Sequence, residues 1–350
     1  MDGRLGRDHD GRALIRLRYF EFTCTDRGRA SGRLVTMRRI VTGLLLLVVA
    51  VGCHAPDAPP TGAGRFDVFV LGIAQDGGLP HVGCSKGCCR SARKAGRRLY
   101  PACLGIHDTE TGKLVLVEAT PRIEPQLSRL HELSGRARSR QPVDAVLLTH
   151  AHIGHYLGLA QFGREVAGTK GLPVHVTPRF AGFLRTHGPW KQLVALDQIR
   201  PTTFALREVF SPIPGLFVTA IPVPHRDEFS DTVAFKIRGP QGTVVFVPDI
   251  DAWDRAPGLL EELIDGVDVA WLDATFYDGS ELPGRDLSEI PHPPMVMTME
   301  RLAESARKRP GRFRFIHLNH TNPVLHDAAL RKALERRGFR VAQPGERVRI

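Results

Sequence analysis

From residue 66 onward, short apolar runs rich in Val, Ile and Phe alternate with turn residues and with helical stretches. Nine runs predict strands: FDVFVLGI (66–73), KLVLVEA (113–119), DAVLLTH (144–150), LPVHVTP (172–178), LFVTAIPV (216–223), DTVAFKI (231–237), GTVVFVPD (242–249), DVAWLDA (268–274) and RFRFIHLN (312–319). Five stretches predict helices: RIEPQLSRLHEL (122–133), HYLGLAQFGREV (155–166), GLLEELID (258–265), VMTMERLAESARKR (296–309) and VLHDAALRKALERRG (324–338). Strands with helices between and after them, over a single domain at 66–350, predict an α/β fold of sheets packed inside helical layers.

The composition, 42% hydrophobic and 24% charged in 350 residues, allows a sizeable core and excludes a disordered chain. A formal net charge of +11 raises the question of nucleic acid. Its distribution answers it. Residues 1–52 hold ten arginines against five acids, and much of the rest lies in RKAGRR (93–98), RARSR (136–140) and RKR (307–309). These read as exposed loops or helix ends, with no RNA-binding aromatic motif or zinc-finger spacing beside them, so we expect a solvated surface and no nucleic-acid partner.

The first 65 residues read as an address. Met37-Arg38-Arg39 precedes the apolar run IVTGLLLLVVAV (40–51), then Gly52, Cys53 and a Pro/Ala/Gly-rich stretch. The run is too short to span a bilayer, which takes about 20 residues. A positive start, a short apolar segment and a small residue before a cysteine resemble a bacterial lipoprotein signal (37–52), with lipid carried on Cys53. Residues 53–65 then form a flexible tether, and residues 1–36 are expected to be a mis-assigned extension upstream of the true start at Met37. The expected location is the cell envelope, on the periplasmic side, anchored to the membrane by lipid.

Chemistry collects at the predicted strand ends. THAHIGHYLGL (149–159) carries His150, His152 and His155 between a strand and a helix. His225 follows the strand at 216–223, Asp249 and Asp251 follow 242–248, and His317 and His320 end 312–318. Neutral imidazoles suit zinc or iron and need partners from elsewhere in the chain to close a coordination shell. Four strand ends closing on His or Asp are expected to supply them.

The order H-x-H-x-x-H, His, Asp, His resembles the metallo-β-lactamase fold superfamily over residues 66–345. The resemblance implies an αββα sandwich with a metal centre at the strand ends between the sheets. Carried over by position, it assigns His150, His152 and His225 to a first metal, His155 and His317 to a second, and Asp249 to a bridge. Gly154 departs from the pattern, since the superfamily usually has a second-metal Asp there. Asp76, Asp227 and Asp251 are the candidates to replace it, and a single-metal centre and an altered metal preference are the alternatives. Within the superfamily, VLGIAQDGG, GCSKGCC, LVEATPRIEPQL, VPHRDEFSDTVAF, LDATFYD and IHLNHTNP look like the coenzyme PQQ synthesis protein B branch. Typical members of that branch lack the two leading histidines and keep the Asp-His, so this chain looks like a relative with its own chemistry. That branch's Cys cluster implies structural zinc for Cys84, Cys88, Cys89 and Cys103; two disulfides are the alternative in an oxidising compartment.

The expected function is metal-dependent hydrolysis of a small-molecule ester, amide or phosphoester. One or two zinc ions would activate water, Asp249 would orient it, and His292 would donate a proton or contact substrate. An iron-dependent oxygenase related to PQQ synthesis and a non-catalytic metal-binding lipoprotein are the alternatives.

Overall fold

A computed structural model describes residues 65–286 and 290–350. The extension, the signal, Cys53 and all but the last residue of the tether lie outside the described residues. The chain from Arg65 builds one sheet with its first half. This sheet contains β1 (Phe66–Gly72), β2 (Cys103–Asp108), β3 (Leu114–Val117), β4 (Ala145–Leu147), β5 (Leu172–Val176) and β6 (Ile199–Thr203), side by side in that order. A second sheet follows with β7 (Val209–Ile213), β8 (Leu216–Pro222), β9 (Val233–Arg238), β10 (Thr243–Val247), β11 (Val269–Asp273), β12 (Phe313–Ile316) and β13 (Arg340–Val341). The chain then returns to the first sheet, where β14 (Arg347–Arg349) pairs with β1.

The central strands have two faces, and both are covered. Val68 and Val70 of β1 face the second sheet, whereas Phe69 and Leu71 face the opposite way. That second face packs on α2 (Ile123–Ser134), α4 (Pro178–Thr186) and α5 (Trp190–Ala195), through Leu130, Phe180 and Trp190. The remaining named helices are α1 (Gly87–Lys94), α3 (Ile153–Tyr156), α6 (Leu259–Ile264), α7 (Met295–Arg301), α8 (Ala303–Lys308) and α9 (Ala328–Arg336). Of these, α6 to α9 pack on the second sheet through Leu263, Met299, Ala306 and Leu334. The result is the αββα sandwich. Burial on both faces is why the strands read as continuous apolar runs and not as alternation.

The fold also corrects several boundaries. Strands β2, β6 and β7 and helices α1, α4 and α5 occupy stretches for which no element was predicted. CLGIHD, IRPTT and VFSPI mix Gly, Pro and polar residues into short strands, which blurs the signal. The helix expected at 155–166 is one turn of α-helix at 153–156 followed by a 3-10 turn, Leu157–Phe162. Gly158 lies so close to the backbone there that a Cβ would come within 2.8 Å of the Ala119 carbonyl oxygen. The stretch at 296–309 divides at Leu302 into α7 and α8, and Asp327 caps α9, accepting from the Ala329 and Leu330 amides.

Strand direction places the site. In the first sheet β3, β4, β5 and β6 run parallel, and β1 is antiparallel to β2, which is antiparallel to β3. In the second sheet β10, β11, β12 and β13 run parallel, and β8 and β10 both oppose β9. The C-terminal ends of β1, β3 and β4 therefore share one edge, as do those of β8, β10, β11 and β12. A bridge between Ala74 and Leu318, and a bond from the Val233 amide to the Thr149 carbonyl, join the two edges.

Candidate metal centre

The loops leaving these strand ends bring His150, His152, His155, His225, Asp249 and His317 together. The first group is His150, His152 and His225. His150 Nε2 lies 3.0 Å from His152 Nδ1, which lies 3.3 Å from His225 Nε2. The outer nitrogens decide what these inner atoms are. His152 Nε2 is 3.0 Å from Glu228 Oε2 and His225 Nδ1 is 2.9 Å from Asp251 Oδ1. A carboxylate only accepts, so each ring donates outward and turns a bare lone pair inward. His150 Nδ1 sits 2.9 Å from the Thr149 hydroxyl, a group that can donate or accept. Burial first, and neighbouring charge second, hold His150 well below the usual imidazole range, and burial also lowers His225. Neutral nitrogens bound tetrahedrally to zinc at 2.0–2.1 Å would lie about 3.3 Å apart, close to the spacing observed.

The second group is His155, His317 and two carboxylates. Asp249 Oδ2 lies 3.0 Å from His155 Nε2 and 3.4 Å from His317 Nε2, while Asp249 Oδ1 lies 3.7 Å from His225 Nε2. Asp249 thus reaches both groups, as a bridge must. Asp76 Oδ1 lies 3.3 Å from His155 Nε2 and 3.5 Å from His317 Nε2. These four atoms, Asp76 Oδ1, His155 Nε2, Asp249 Oδ2 and His317 Nε2, are all closed to solvent and none has a hydrogen-bond partner. Buried polar atoms without partners are expensive, and four aimed at one another fit a cation. Behind them His317 Nδ1 meets the Thr275 hydroxyl at 3.0 Å, and His155 Nδ1 faces the fully buried Glu118 at 3.5 Å. Burial would lower His155, but Asp249 and Glu118 outweigh it and raise it well above the usual range.

The other two acids offered as substitutes do not reach the centre. Asp227 is exposed and pairs with Arg179 at 3.1 Å, and Asp251 stands behind His225, where it also pairs with Arg255. His292 does come to the centre: it is buried, with Nδ1 2.7 Å from Asp273 Oδ2 and 3.9 Å from Asp249 Oδ1. Burial opposes its protonation, but Asp273 overrides this and raises it. His292 also lines a cavity of about 310 Å³ with Asp251, Trp253, Arg255, Pro293 and Arg301.

A β-lactamase superfamily domain matches residues 113–348. The chain belongs to that superfamily. It is 30% identical over 303 residues to the coenzyme PQQ synthesis protein B of Methylobacterium sp. (strain 4-46), covering 79% of this chain and 97% of that protein. Its branch is therefore that of PQQ synthesis protein B, as its motifs imply. Among solved structures it is similar to Zn(2+)-bound PqqB from Methylobacterium extorquens, at a TM-score of 0.68 and 25% identity, covering 81% and 100% of the two chains. A diphosphatase from the PhnP family gives a TM-score of 0.60 at 20% identity, over 82% of this chain and 97% of that one, which shows the shared fold.

The cysteines of this superfamily member correct one expectation. Cys84, Cys88 and Cys89 do cluster, but their fourth partner is His320 and not Cys103. Cys103 is buried in β2, with its thiol directed at the Glu118 carbonyl at 3.5 Å. These four cysteines are free thiols in this structure, with Cys103 in β2 and outside the cluster of the other three. His320 is three residues past His317, has an Nδ1 without a partner, and is pushed down to about 4 by burial, so it presents a neutral ring. H-x-x-H at the end of β12 was the available signal: His317 serves one cluster and His320 the other.

Proposed function

We propose that this chain is a metal-dependent hydrolase with two divalent ions, zinc by preference, held between the sheets. The observation behind this reading is the convergence of inward-facing imidazole lone pairs on Asp249, with four buried atoms left without partners. His150, His152 and His225 would hold the first ion, His155 and His317 the second, with Asp249 between them. Bound ions would supply a Lewis acid and acidify a water towards a pKa of about 7.

The protein's own part is positional. Glu228, Asp251 and Thr275 fix the imidazole orientations, and Asp249 orients the attacking water. His292, kept protonated by Asp273, donates to the leaving group from the wall of the cavity; a positioned general acid contributes about 10²–10⁴ in rate. The substrate is a small molecule carrying an ester, amide or phosphoester, and Cys84, Cys88, Cys89 and His320 hold a structural zinc. The pattern of residues 37–53 supports a lipid-anchored protein on the periplasmic side of the cell envelope, checked by mass spectrometry of Cys53 in membrane fractions.

The zinc-loaded chain should hydrolyse members of a panel of phosphodiesters, esters and amides, with activity lost on chelation and in His150→Ala. A fully loaded chain that turns over none of them would contradict the reading. The name of the relatives supports a second reading, a role in PQQ synthesis, for which an iron-dependent oxygenase is our alternative proposal. Oxygen uptake by the iron-loaded chain, absent with zinc, would favour it.

A further inference from the structure

Gly154 stands between His152 and His155 and offers no side chain that could coordinate. Resting on the two-ion reading above, we propose that the second ion's carboxylate ligand is Asp76, in the loop after β1, and that residues 76 and 154 are mutually exclusive sources of the same ligand.

Space provides the first observation. A Cβ added at Gly154 would overlap the Asp76 carboxyl and lie 2.7 Å from the Asp76 Cβ. The Asp76 carboxyl fills the volume that a side chain at 154 would use. Gly154 is not among the glycines with positive φ, so its backbone does not demand glycine; the obstacle is Asp76 itself.

Position provides the second. Asp76 sits at the corner of a tight turn closed by the Gly78 amide on the Gln75 carbonyl at 2.7 Å. The flank of that turn is bonded to the loop that carries His317. The Gln75 amide donates to the Leu318 carbonyl at 2.9 Å, the Leu318 amide donates to the Ile73 carbonyl at 2.9 Å, and Asn319 Nδ2 donates to Gln75 Oε1 at 2.6 Å. Asp76 and His317 are thus held to each other across the sheets.

Exposure provides the third. Nearly half of the Asp76 side chain is open (46%), yet its Oδ1 is closed to solvent and has no hydrogen-bond partner. The neighbouring acids are placed otherwise: Asp227 and Asp251 are engaged elsewhere, Glu118 lies on the far nitrogen of His155, and Asp273 lies on the far nitrogen of His317, where it pairs with His292.

The test is zinc stoichiometry and affinity, by elemental analysis and competition with a chelating dye, on the full chain. In the wild type we expect two centre ions. Asp76→Ala and Asp76→Asn should bind the second at least tenfold more weakly while keeping the first. Gly154→Ala, which adds no ligand and removes none, should weaken the second ion by displacing Asp76. The Asp76→Gly/Gly154→Asp double variant should recover it. Unchanged second-ion affinity in Asp76→Asn and Gly154→Ala, in chains that still unfold cooperatively, would overturn the proposal. A wild-type chain with no centre ions would instead overturn the two-ion reading on which it rests.

Discussion

At the scale of single residues, the centre depends on what stands behind each ligand. Asp251 fixes the tautomer of His225 from the outside, at 2.9 Å, and is itself held by Arg255. Replacing it leaves the ligand in place but frees the ring. Asp251→Asn should weaken first-site zinc binding by about 10–100-fold, read by competition with a chelating dye. Equal affinity in the two proteins would show that the ring is held by packing alone. The histidines that cluster were legible in the sequence because they close strands. Their supports were not. Glu228, Asp273 and Thr275 are ordinary residues whose role exists only once β11 lies beside β10 and the His225 loop folds over His152. Asp76 was legible only as one of three acids; the choice needed the overlap at Gly154.

Among the elements, the segment after β1 links two sites that the sequence shows as separate motifs. Asp76 belongs to the group with His155 and His317, and five residues on, the His81 amide donates to Cys89 Sγ at 3.2 Å while its ring stacks on His320 at 4.5 Å. On the other side of the gap, His317 and His320 divide between the same two sites. A metal on Cys84, Cys88, Cys89 and His320 would therefore clamp both strands of the chain that carry the second ion's ligands. His320→Ala should lower the melting temperature and weaken the second centre ion more than the first, by differential scanning fluorimetry and zinc titration. An equal loss at both centre sites would mean general loosening. The missed elements have a physical reason too. Strand β2 contains a glycine and two polar residues yet is buried, because pairing between β1 and β3 covers its polar backbone; the signal came from its neighbours and not from its own pattern.

For the molecule as a whole, the sandwich was legible because strands covered on both faces leave long apolar runs, and the order of strand-end ligands fits one edge of two sheets. What the sequence leaves open is the depth of that edge. Two clusters share Asp249, and a third, built from cysteines and His320, lies along the same loops. Diffraction from crystals of the zinc-loaded chain, recorded at the zinc absorption edge, tests the central claim most directly. We expect two anomalous peaks joined by Asp249, one within the His150, His152 and His225 group and one among Asp76, His155 and His317. Strong signal at the cysteines with none beside Asp249 would contradict it.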